Sequence, residues 1–138
     1  MKHALYIFLV VSTLLNGSTM KLQFVNNSPN QSIDVYINEQ NEIRNFEFLN
    51  SSLPFELPST FMLGISPYQD NVTVDYPIEL MPNSRNIMLV NGRFGDSDNP
   101  IRIGTSTLDS LAIDRYHTAV NFFHGTNDMP AIDILING

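Results

Sequence analysis

The chain has no cysteine, few cations and no sustained helical period, and each absence narrows what it can be. Without cysteine there are no disulfides and no thiolate metal site. A lipoprotein anchor is excluded as well, because its lipid is carried on a cysteine. Lysine and arginine total 7 against 14 aspartates and glutamates, giving a formal charge of −7. Past the N-terminal stretch the cations are Lys21, Arg44, Arg85, Arg93, Arg102 and Arg115, scattered along the sequence. An acidic chain without a basic run repels phosphate backbones, which argues against a nucleic-acid partner. The acidic residues are equally scattered and read as solubility rather than as a surface for a cationic target.

What is present begins with a leader. Lys2 and His3 precede an apolar run from Ala4 to Leu15, and Asn16-Gly17-Ser18-Thr19 follows. The basic–apolar–polar order predicts a secretory signal peptide over residues 1–19, with cleavage between Gly17 and Met20. The apolar run is too short for a comfortable transmembrane helix, so no stable span is expected once the leader is gone. The expected location is periplasmic, cell-surface or extracellular. Residues 20–138 then form one domain, long enough to bury roughly two-thirds of its unfolded surface.

The most informative feature is a repeat. Leu22 to Glu39 reads LQFVNNSPNQSIDVYINE and Val120 to Gly138 reads VNFFHGTNDMPAIDILING. With one gap Phe24 falls on Phe122, Asn26 on His124, Ser28 on Thr126, and Ile33-Asp34-Val35 on Ile132-Asp133-Ile134. Each copy predicts a strand, a turn and a second strand, the latter with isoleucines alternating against polar residues. Further short strands are predicted at Arg44–Leu49 (Phe46 and Phe48 sharing a face), Phe55–Leu57, Phe61–Ile65, Val72–Leu80, Ile87–Val90 and Ile101–Ile103. Proline, glycine and asparagine separate them, and Thr107–Ala112 has room for one helical turn. Many short strands in one domain indicate a sandwich or barrel. The two end units are expected to pack into one core, with Ile33, Val35 and Ile37 meeting Ile132, Ile134 and Ile136.

The C-terminal copy resembles the opening of a bacterial domain-of-unknown-function family, number 4397, whose pattern is roughly V-R-V-V-H-A-S-P-D-A-P-A-V-D-V-Y-V-N-G. His124, Gly125, Asp128, Pro130, Ala131, Asp133, Asn137 and Gly138 fit that pattern directly, and Ser28, Pro29, Asp34, Val35, Tyr36 and Asn38 carry it in the first copy. Leu57-Pro58-Ser59 and Met81-Pro82-Asn83-Ser84 resemble the family's two turns, and Ile87 to Gly92 resembles its central strand. The resemblance implies an all-β, immunoglobulin-like antiparallel β-sandwich in secreted or envelope-attached proteins, with no assigned activity. The family's histidine is Asn26 in the first copy, which removes any catalytic role at that position.

Several groups invite chemistry. His124 with Asp128 or Asp133 suggests a hydrolase or metal centre, but a triad needs a nucleophile, and no serine occupies a G-x-S-x-G turn. The simpler reading has His124 hydrogen-bonding its turn, as Asn26 would in the first copy. Asp34 and Asp133 are either ligands or caps for backbone amides, if they do not simply face water. Gly95 to Asn99 looks like the start of a calcium loop, yet Ile101 and Thr107 stand where glycine and glutamate are required. Tyr36, Tyr68, Tyr76 and Tyr116 would make a sugar-stacking platform only if clustered. The sequence therefore predicts a non-catalytic, secreted or envelope-associated sandwich with a structural or interaction role and no cofactor. Its partner would be an envelope protein or glycan. A glycan- or small-ligand-binding module is the alternative. Ser28, Pro29, Asp34, His124, Asp128, Pro130 and Asp133 are motif positions of structural rather than catalytic or metal-binding role.

Overall fold

The computed structural model describes residues 18–108 together with 122, 133 and 134. Eight strands lie within them: β1 (Thr19–Asn27), β2 (Ile33–Ile37), β3 (Gln40–Phe46), β4 (Phe55–Pro58), β5 (Thr60–Pro67), β6 (Val74–Glu79), β7 (Arg85–Asn91) and β8 (Arg102–Leu108). They form two four-stranded sheets, β4-β1-β7-β8 and β3-β2-β5-β6. The expected all-β sandwich is what these residues build. Every pairing is antiparallel except β1 with β7, which run parallel. None of the described residues forms a helix able to cross a membrane.

Period-two patterning creates the core. Along β1, Met20, Leu22, Phe24 and Asn26 are buried while Thr19 and Lys21 are exposed. Ile33, Val35 and Ile37 of β2 and Phe61, Leu63 and Ile65 of β5 come from the other sheet, and Met88 and Val90 of β7 meet them in one cluster. The Phe24 and Phe55 rings make an edge-to-face contact with centroids 6.0 Å apart. Burying each such side chain contributes about 1.5–3 kcal/mol.

The two strands of the first repeat do not pair with each other. β1 belongs to one sheet and β2 to the other, so the NNSPNQ segment carries the chain across the sandwich. The chain crosses again between β3 and β4, at Ser59 between β4 and β5, and between β6 and β7. A strand pair and a sandwich crossing look alike in sequence because both need a strand, a polar turn and a strand.

β3 also departs from expectation. It spans Gln40–Phe46 rather than Arg44–Leu49, and Phe46 is buried while Phe48, beyond the strand, is 37% exposed. Asn38 and Glu39, both with positive φ (48° and 69°), make the tight hairpin turn that starts β3 early. Asn45 (φ 50°) and Leu49 (φ 64°) then bend the chain out of extended geometry. Thr107 and Leu108, expected to open a helical turn, instead end β8 opposite Asn86 and Arg85. Pro77 sits in β6, the outermost strand of its sheet, where a missing N–H costs no ladder bond.

Most of the second repeat lies outside the described residues, including His124, Asp128, Pro130, Ile132 and Ile136. Of its three described residues, Phe122 is 55% exposed, Ile134 is 46% exposed, and Asp133 is exposed too. Their first-copy counterparts Phe24, Val35 and Asp34 are all buried.

Candidate functional site

The motif residues of the first repeat converge where β1 crosses to β2. Asn26 ends the inward row of β1 and is fully buried, so its amide must find partners inside the protein. Its Nδ2 donates to the carbonyls of Phe46 (2.6 Å) and Gln31 (3.1 Å), and its Oδ1 accepts the Ser28 N–H (2.8 Å). Ser28, Pro29, Asn30 and Gln31 form a turn closed by the Gln31 N–H on the Ser28 carbonyl (3.3 Å). Proline second and asparagine third with φ 59° is the chemistry of a type II turn.

Ser28 is buried, and its hydroxyl donates to the Gly92 carbonyl at 2.6 Å, beyond the end of β7. Gln31 Oε1 accepts the Phe94 N–H at 3.1 Å and lies 3.2 Å from the same hydroxyl. Gly92 has φ 87°, and a Cβ there would stand 2.1 Å from the Pro100 carbonyl oxygen, so only glycine fits. The turn is thus fastened to β3 on one side and to the β7–β8 connection on the other.

Asp34 is buried on β2, three residues past Gln31 of this knot. The β2–β3 ladder slips register twice, and such bulges leave backbone amides without ladder partners. One of these, the Asn45 N–H, donates to Asp34 Oδ1 at 2.8 Å. Asp34 caps a bulge and does not face water. Directly opposite it on β5 stands Ser66, fully buried, whose Oγ has no hydrogen-bond partner among the described residues.

The other groups singled out by sequence are kept apart. Tyr36 alternates with buried Val35 and Ile37 and so lies on the outer face of its sheet, while Tyr76 packs against the core. Tyr76 donates its hydroxyl to the Ile101 carbonyl (2.9 Å), and burial raises its pKa. Tyr68 lies past the end of β5, and Tyr116 is outside the described residues. Asp96 Oδ1 accepts the N–H groups of Asp98 (2.9 Å) and Asn99 (3.0 Å), which makes Gly95 to Asn99 a self-capped turn. Among the described residues no three histidine, cysteine, aspartate or glutamate side chains gather as a metal site would require.

Gln31, Asn45, Gly92 and Phe94 were not foreseen as members of the knot. The one sequence signal was the glycine after β7, since Gln31 and Phe94 are 63 residues apart and meet only through the fold. Among known proteins, no family model matches this chain and no curated protein does either.

Proposed function

We propose that the protein is a non-catalytic β-sandwich, exported after removal of residues 1–19, with a structural or interaction role at a bacterial envelope. One observation carries the non-catalytic reading. Asn26 and Ser28 direct their polar atoms at main-chain groups around the sandwich crossing, and Asp34 directs its own at an amide freed by the β2–β3 bulge. Side chains engaged in that way are architecture. The leader and the family resemblance support export and a bacterial source.

Two measurements test the proposal. Expressed with its leader, exported protein should have an intact mass corresponding to a start between Ser18 and Lys21; cytoplasmic material still beginning at Met1 overturns the export claim. Alanine substitution at Asn26 or Asp34 should lower the melting temperature and leave any partner affinity of the surviving folded protein unchanged. A hydrolytic or transfer activity that disappears in Asp34→Asn at unchanged melting temperature would overturn the non-catalytic reading.

A further inference from the structure

The cations that are scattered in sequence are not all scattered in space. Lys21 on β1 and Arg85 on β7 are register partners on parallel neighbouring strands, whose backbones lie about 4.8 Å apart. Met20 and Leu22 face the core, so Lys21 projects from the outer face of its sheet, and both cations are exposed. Two adjoining depressions of about 300 and 260 Å³ open at this point, and Lys21 and Arg85 line both. Pro54 and Leu108 give the larger one an apolar wall.

Like charges on adjacent strands repel, and among the described residues no ion pair engages either one. Glu56 lies opposite Lys21 on β4, where its Oε1 accepts the Thr19 hydroxyl at 3.0 Å. Other polar neighbours are engaged: Gln23 Nε2 donates to the Ser52 carbonyl (2.9 Å), and Ser84 Oγ accepts from Asn86 (2.8 Å). Recognition therefore falls to the two cations, a guanidinium fork that fits an oxyanion bidentately beside a compact ammonium. The formal charge of −7 on the whole chain repels polyanions at long range. A single oxyanion held at contact distance escapes that penalty, because screening confines the repulsion to roughly 10 Å.

We infer that the Lys21–Arg85 cleft binds the oxyanion of a small organic acid, a carboxylate or phosphate monoester whose apolar body rests on Pro54 and Leu108. This site goes beyond the proposed structural role; removal of residues 1–19 would take the Thr19 hydroxyl from Glu56 but leave Lys21 and Arg85 in place. Isotope-labelled full chain is titrated at constant ionic strength with benzoate, phenyl phosphate and inorganic phosphate, following the backbone amides of Lys21, Arg85 and Leu108, with Arg44 on the other sheet as control. Saturable shifts confined to the first three are expected, with phenyl phosphate bound more tightly than inorganic phosphate. The order of benzoate and phenyl phosphate identifies which oxyanion the cleft prefers. Lys21→Gln and Arg85→Gln should each weaken binding about fivefold or more, while Glu56→Gln, which removes a repelling charge, should tighten it. Shifts that never saturate or that appear equally at Arg44 overturn the site, as does binding undiminished in Arg85→Gln. Tighter binding of a heparin fragment than of phenyl phosphate would overturn the choice of a small acid.

Discussion

The side-chain amide of Asn26 and the main-chain carbonyl of Phe46, 2.6 Å apart, join β1 in one sheet to the end of β3 in the other. A buried asparagine with this many partners is costly to replace, because each stranded backbone group retains its desolvation penalty of about 1–3 kcal/mol. Asn26→Ala should therefore lower stability by about 2–4 kcal/mol in denaturant melts. Asn26→Asp should be at least as damaging, since it turns an acceptor oxygen toward the Phe46 and Gln31 carbonyls. A loss below about 0.5 kcal/mol in Asn26→Ala would show that the knot does not hold the crossing.

Asp34 works through one oxygen on one amide. Asp34→Asn can keep that acceptor and should stay within about 0.5 kcal/mol of the parent, whereas Asp34→Ala strands the Asn45 N–H and should lose about 1–3 kcal/mol. Chemical denaturation of the pair checks this. Equal losses in both variants would mean that the carboxylate charge, not the hydrogen bond, is what the bulge requires.

Ser66 makes the opposite prediction. Its buried hydroxyl oxygen has no partner among the described residues, so removing it relieves a desolvation cost without breaking a bond. Ser66→Ala should leave stability unchanged or raise it by up to about 1 kcal/mol, read as a higher melting temperature. A clear loss would reveal a partner for that oxygen.

Tyr76 sets a limit at alkaline pH. Burial raises its pKa above the ordinary 10.0, so the folded protein holds the phenolic proton more tightly than the unfolded chain. Its contribution is fully present below pH 10.0 and is lost as pH rises through the higher folded value. Tyr76→Phe should flatten the stability profile in that window, and at neutral pH it should cost about 0.5–1.5 kcal/mol for the lost bond to Ile101. Parallel alkaline melts of the two proteins that superpose in slope would refute the assignment.

Alternation was enough to place most of the strands. Met20, Leu22 and Phe24 on one side of Lys21 and Gln23, and Ile33, Val35 and Ile37 around Asp34 and Tyr36, can be satisfied only by pleated strands with a buried face. Proline, asparagine and glycine marked most of the breaks, because these residues supply the φ values that turns need. The same local information also located Asn26, Ser28 and Asp34 as polar residues whose surroundings had to be explained. It could not say which sheet each strand joins, because a hairpin and a sandwich crossing share one pattern. It could not end β3 at Phe46, because bulges depend on the register of a partner strand. Nor could it set Lys21 beside Arg85 or Ser28 against Gly92, each separated by 64 residues in sequence and brought together only by the parallel pairing of β1 with β7. Local sequence determined what each segment is; the tertiary structure alone decided what it meets, because backbone hydrogen bonds between distant strands carry no signature in either one alone.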